Sequence, residues 1–395
     1  MGTKYYIIAG EASGDLHGSN LIKGLKRVQP DCQIRCWGGD LMQSAGGELV
    51  RHYKDTAVMA FAEVVKSLNK IRRNLKLCKE DIIAYNPDVI VLIDYPGFNF
   101  RIAKFAHNHG FKVFYYIAPK IWAWKENRGK RLQKYVDKLF IIFPFEIDYF
   151  KNKWNIEAIY RGNPLLDSIE QSPQTKESKK DFCKAEGLNS QDKFIALVPG
   201  SRKMEISYLL PRMIDIAAML PNYKFLITQA PAIPDSYYSK IINKRIAQRR
   251  KKGEDLTSTI ERIKLLKNRT YSAMKHSEAA VISSGTASLE GALIGTPQVV
   301  CYAGSWISAI IAAMLVHLPY ISLANLILDK AIFKELLQHH FTPKNTVAEL
   351  DMLINNTQYR EKMLEDYEKV HKLLGGGGAS EAVAQAMVEA VNELK

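Results

Sequence analysis

Metal-ligand patterns are the first thing missing from these 395 residues. The five cysteines (Cys32, Cys36, Cys78, Cys183, Cys301) are odd in number and scattered, and Cys32 and Cys36 have no second Cys or His pair at zinc spacing. His339 and His340 lack a carboxylate at the spacing of a helical zinc site. No metal and no cofactor are therefore expected, and the thiols read as free in a reducing cytoplasm. The start, MGTKYYIIAGEASGD, lacks the basic flank and cleavage site of an export signal and reads as a strand and its loop. Zinc-knuckle, RNP-type and helix-turn-helix patterns are absent too, which leaves nucleic acid with only charge in its favour. A membrane span of roughly 20 apolar residues is also missing. Gly291–Leu328 contains no Asp, Glu, Lys or Arg, but its longest helix-like piece, Trp306–Leu318, ends at Pro319.

Acidic residues are outnumbered, 41 against 55 Lys and Arg, for a net charge of +14. That excess suits phosphorylated substrates or an anionic lipid surface. A hydrophobic fraction of 47% is that of a globular chain, and the length calls for two domains.

What is present is a repeated α/β rhythm. Tyr5–Ala9, Ile34–Trp37, Asp88–Asp94, Val113–Ile117, Phe140–Phe143 and Ala158–Tyr160 read as strands, with helices from about His17 to Val28 and over Ala103–His109. The polar segment Gln171–Lys180 marks a boundary, and the pattern restarts with strands at Phe194–Val198, Lys224–Thr228, Ala279–Ser283 and Thr296–Tyr302. The expected class is α/β, with two Rossmann-like doubly wound domains facing across a cleft, the GT-B architecture. Residues 1–170 form the first domain and 181–356 the second, while 357–395 supply C-terminal helices that return to the first. Lys240–Lys267 reads as a solvated basic insertion of one or two helices.

Four loops at strand ends carry candidate chemistry. Gly10-Glu11-Ala12-Ser13-Gly14-Asp15 follows the first strand; it is not GxGxxG, and spacing leaves a ligand loop and a plain tight turn equally open. His17 beside it suits a helix-start polar residue. Asp94 ends LIDYPGFN, where a carboxylate either serves as a general base or caps a turn. Pro199-Gly200-Ser201-Arg202 offers amides and a guanidinium fork suited to a diphosphate. Ser284-Gly285-Thr286 opens a second anion-friendly helix, and Glu290, one turn on, can reach a ribose diol. Apart from these loops, Val58–Leu77 mixes apolar positions with Lys66, Lys70, Arg72, Arg73 and Lys76. It suits a membrane surface or, equally, a core-packed helix with a basic outer face.

GEASGD at Gly10–Asp15, IDYPGFN at Ile93–Asn99, YIAPKIWAW at Tyr116–Trp124, PGSR at Pro199–Arg202, SGTASLE at Ser284–Glu290 and ISLANL at Ile321–Leu326 stand in the order seen in one family. Over nearly its whole length the chain resembles the lipid-A-disaccharide synthases. The resemblance implies an inverting transfer of 2,3-diacylglucosamine from its UDP derivative to 2,3-diacylglucosamine 1-phosphate, without a metal. It implies that Asp94 is the general base and that Arg202, Glu290 and Asn325 belong to the nucleotide site; from the loops themselves, Gly10, Glu11, Ser13, Gly14, Gly200, Ser201, Ser284, Gly285 and Thr286 are the expected substrate-lining residues. It further implies a peripheral place on the cytoplasmic face of the inner membrane, and C-terminal helices exchangeable between protomers about the Gly375–Gly378 break. Departures are Ala324 for the family's proline, Ala303-Gly304-Ser305 where a basic residue is common, and the long Lys240–Lys267 segment. The rival expectations are another UDP-sugar enzyme, such as an epimerase, and a non-enzymatic polyanion-binding module.

Overall fold

A computed structural model describes residues 2–56, 64–304 and 319–394. The Trp306–Leu318 stretch and the first part of Val58–Leu77 lie outside the described residues. The chain divides into two compact units: residues 1–167 with 374–395, and residues 168–373.

Unit 1 is built on a seven-stranded sheet whose described strand pairings are all parallel. The strands are β1 (Lys4–Ala9), β2 (Gln33–Gly38), β3 (Glu48–His52), β4 (Val89–Ile93), β5 (Lys112–Tyr116), β6 (Lys138–Ile141) and β7 (Ala158–Tyr160). Their order is β3-β2-β1-β4-β5-β6-β7, so the winding reverses between β1 and β4. The central strands are continuous apolar runs, buried throughout in β4, because helices cover both faces of a parallel sheet.

Unit 2 repeats this plan with six strands. They are β8 (Phe194–Val198), β9 (Lys224–Gln229), β10 (Ile263–Lys267), β11 (Ala279–Ser283), β12 (Gln298–Tyr302) and β13 (Glu335–Leu337). The order β10-β9-β8-β11-β12-β13 reverses between β8 and β11. Both units are thus α/β and Rossmann-like, as the sequence pattern requires.

Several expectations need correction. The helix expected from His17 begins at Ala12, and the one expected from Ala103 begins at Pro96, whose fixed φ and missing N–H suit a first helical position. Strand β6 sits two residues earlier than expected, since the amides of Ile142 and Phe143 turn to the Glu146 carboxylate (3.3 and 3.1 Å) and leave the ladder. Lys240–Lys267 is no loose insertion. It spans part of the helix Asp235–Arg250, a short helix Thr257–Glu261 and strand β10. Its cations are partly committed: Arg245 and Arg249 grip the buried Asp215 (Nε to Oδ1, 2.9 and 3.0 Å), and Arg262 donates to the carbonyls of Leu220 and Tyr223. Burial pushes the Asp215 carboxyl up, but the two guanidiniums outweigh it and hold it below the usual range.

Of the C-terminal helices, only the last returns to unit 1. Ala379–Leu394 buries Val383, Met387 and Val391, with Ala384 against Gly24 of the helix Ala12–Val28. Thr357–Leu374 packs within unit 2, where the buried Tyr367 hydroxyl donates to the carbonyl of Thr296 (3.2 Å). The chain's return is fastened inside unit 1: Asp167 accepts the amides of Gly378, Ala379 and Ser380 (2.6, 3.2 and 2.7 Å). The helix Val64–Tyr85 buries Cys78 and Ile82 in the unit 1 core while Arg72, Arg73 and Lys76 face solvent. That is the core-packed reading for its described part.

Candidate functional site

In doubly wound sheets, ligands gather outside the carboxyl ends of the strands where the winding reverses. Each unit has one such point, and the expected site residues other than Asn325 divide between them.

At the first, Ala9 of β1 pairs with Ile93 of β4, so the loops that follow lie side by side. Gly10 is required there: a Cβ would fall 2.3 Å from the Tyr95 ring. Glu11 precedes the helix, and Ser13 is exposed in its first turn. Gly14 brings the helix close onto β1, where an added Cβ would lie 3.1 Å from that of Ala9. Asp15 turns away, its carboxylate accepting the amides of Gly39, Leu41 and Met42 at the end of β2. His17 lies within the same helix, and burial pushes its imidazole down to about 4, which keeps it neutral.

Asp94 and Tyr95 both adopt left-handed backbone, with φ of 41° and 47°. Such residues cost about 1–3 kcal/mol each and persist only where the surroundings over-determine them. Here Asn99 Nδ2 donates to the carbonyls of Ile93 and Asp94 (3.1 and 2.7 Å), and the Tyr115 hydroxyl donates to the Asp94 carbonyl (2.6 Å). The Asp94 backbone is thereby fixed while its carboxylate opens to solvent on one side. The surrounding protein raises its pKa, and Glu11 adds to this; Lys120 and Arg128, also within electrostatic reach, pull it partly back. The result is a carboxylate on a firmly held backbone, with its pKa raised above that of an ordinary Asp.

Lys120 lies in the YIAPKIWAW segment, which the sequence marked without assigning a role. Trp122 Nε1 donates to the buried Glu146 carboxylate (2.9 Å), and burial pushes Glu146 up to about 7. Asn99, Tyr115 and Glu146 are organising residues that sequence reasoning passed over. Only Asn99 had a signal, being the last letter of a motif already in view.

At the second point, Val198 of β8 pairs with Ile282 of β11. Gly200 has φ of 105° and Gly285 φ of 140°, conformations that side-chain-bearing residues rarely adopt. The loop Gly200–Arg202 leads into the helix Lys203–Met219, and its donors meet Glu205 of that helix. Ser284-Gly285-Thr286 opens the helix Thr286–Ile294, whose N-cap Gly285 makes no side-chain cap bond, while the Ser288 amide turns back to the Gly285 carbonyl (3.2 Å). Glu290 lies on that helix, its carboxylate accepting the Tyr271 hydroxyl (3.1 Å), and burial raises its pKa. Tyr271 follows β10, and its own amide donates to Gln174 Oε1 (3.1 Å). Nothing in its sequence context marked it.

Asn325 is placed differently. Its side chain is buried, donating to the Phe333 carbonyl and Glu335 and accepting the amides of Ile332 and Phe333. It shapes the Ser322–Glu335 segment from within. Among the described residues no group of three His, Cys, Asp or Glu side chains could hold a metal ion, and no helix is long and apolar enough to cross a membrane. The cysteines are buried free thiols.

A family model described as lipid-A-disaccharide synthetase matches residues 5–390. The chain is 32% identical over 391 residues to the lipid-A-disaccharide synthase of Trichlorobacter lovleyi, covering 98% of this chain and 97% of that protein. It is 33% identical over 382 residues to that of Syntrophus aciditrophicus, with 96% and 95% covered. Among solved structures it is similar to the UDP-GlcNAc 2-epimerase of Neisseria meningitidis bound to UDP-GlcNAc (TM-score 0.66, 14% identity, 98% and 100% covered). It is also similar to a glycosyltransferase from Rickettsia africae (TM-score 0.56, 12% identity, 99% and 98% covered). At such identities these two likenesses speak for the GT-B fold alone.

Proposed function

The chain belongs to the lipid-A-disaccharide synthase family, a glycosyltransferase of lipid A biosynthesis, and from that premise we propose its reaction. The donor is UDP-2,3-diacylglucosamine and the acceptor 2,3-diacylglucosamine 1-phosphate. The products are the β-1,6-linked disaccharide 1-phosphate and UDP. Asp94 takes the proton of the acceptor's 6-hydroxyl as that oxygen attacks the anomeric carbon from the face opposite UDP, with inversion. The amides of the Gly200–Arg202 and Ser284–Thr286 loops, with the Arg202 guanidinium, neutralise the leaving diphosphate. Glu290, oriented by Tyr271, holds the ribose diol.

The observation that carries this reading is Asp94 at the β1–β4 reversal, its backbone held in left-handed geometry and its carboxyl pKa raised. A general base works best when its pKa approaches the working pH, and a raised carboxyl pKa moves that way. The acid limb of the rate should then lie above the roughly 3.9 of an ordinary Asp. The test is to incubate the protein with both lipid substrates and to follow UDP release and the disaccharide. UDP-sugar isomerised without transfer would favour an epimerase instead. The net charge of +14 supports work at an anionic membrane surface, for which co-sedimentation with anionic but not neutral vesicles is the check.

A further inference from the structure

The loop after β8 already holds an anion, and that anion is the protein's own. Glu205 stands one turn into the helix Lys203–Met219. Its Oε2 accepts the amides of Ser201 and Arg202 (3.1 and 3.3 Å), and its Oε1 accepts Arg202 Nη1 (3.0 Å). The same carboxylate lies against the bare Cα of Gly200, where an added Cβ would come within 2.5 Å of Oε2. The Ser201 amide, the Arg202 amide and the Arg202 guanidinium are the groups to which the proposed reaction gives the leaving diphosphate. A carboxylate and a diphosphate cannot take the same N–H donors, and two anions so close repel. The neighbouring loop offers a contrast: the helix from Thr286 has no side-chain cap.

We propose that Glu205 is an internal competitor of the nucleotide diphosphate. It trades places with the diphosphate when UDP binds and takes the donors back as UDP leaves, so it sets nucleotide affinity and speeds product release. This rests on the reading of unit 2 as the nucleotide site. The bonds to be given up are charge-assisted, roughly twice as strong as those to a neutral acceptor. A glutamine at the same helical position still completes a capping box, so the charge can be removed without removing the cap.

The experiment compares full-length wild type with Glu205→Gln and Glu205→Asp, the latter keeping the charge on a side chain too short to reach the loop. Calorimetry measures the affinity for UDP and for uridine, and stopped flow measures UDP dissociation. Glu205→Gln should bind UDP about tenfold more tightly, a difference of about 1.4 kcal/mol, and release it more slowly. Glu205→Asp should change in the same direction, and uridine, which has no diphosphate, should bind all three alike. Equal or weaker UDP binding by both variants would overturn the exchange and leave Glu205 as a helix cap. If none of the three proteins binds UDP, the nucleotide reading fails and takes this proposal with it.

Discussion

The β1–β4 reversal in unit 1 and the β8–β11 reversal in unit 2 are the same place in the same topology, yet they present opposite chemistry. The first gathers carboxylates, Glu11 and Asp94, on a backbone bent into left-handed geometry and pinned by Asn99 and Tyr115. The second gathers donors: amides at two helix starts and the Arg202 fork, with Glu205 as their internal counter-ion. Winding order decides where a ligand can sit, because only there do neighbouring loops splay apart. The residues on the loops decide whether that place is lined by carboxylates or by hydrogen-bond donors.

The comparison can be broken most forcefully at Asp94. Asparagine tolerates left-handed backbone well, so Asp94→Asn should fold and keep its UDP affinity while transfer falls by about 10²–10⁴-fold, the usual worth of a general base. A raised folded pKa means that ionising Asp94 costs stability, so this variant should melt no lower than wild type at neutral pH. Turnover near the wild-type rate would remove Asp94 from the mechanism. On the other unit, Arg202→Ala should weaken UDP binding by about 10–100-fold, the range for hydrogen bonds to charged groups. Unchanged affinity in calorimetry would count against the diphosphate assignment.

Tyr271→Phe sharpens the second region further. Losing one bond to a buried carboxylate should weaken UDP binding by about 3–10-fold. The Tyr271 hydroxyl holds the Glu290 pKa down, so its removal should move the acid limb of UDP binding to higher pH. The last test, on stability and not on binding, concerns Glu146. Its folded pKa of about 7 exceeds the roughly 4.3 of a free Glu, so the folded state binds more protons between those values. Stability should therefore fall as pH rises through that window. In Glu146→Gln the melting temperature should lose this slope, and a slope identical to wild type would refute the assignment.

Legibility followed burial. Central strands such as β4 and β8 stand out as unbroken apolar runs, because both faces are covered. The strands that were passed over, β3 (ELVRH), β10 (IKLLK) and β13 (ELL), lie at sheet edges, where half-exposed faces admit charges and the apolar signal fades. The site divided in a similar way. Asp94, Arg202 and Glu290 stood out as candidates because each sits at a strand end or one helical turn beyond it. Tyr271 reaches Glu290 across 19 positions and Tyr115 reaches Asp94 across 21, distances over which local pattern carries no information.

By itself, the sequence determined the repeated α/β halves, the loops at their strand ends, the charge and the family, all of which depend on residue order within a few neighbours. Only the tertiary structure decided that Asp94 is strained and held, that Glu290 has a phenol partner, that Asn325 is spent inside the fold and that the β8 loop is filled by Glu205. Those outcomes depend on which groups meet when distant segments pack and on how much water that packing removes. Both are settled by the folded chain as a whole.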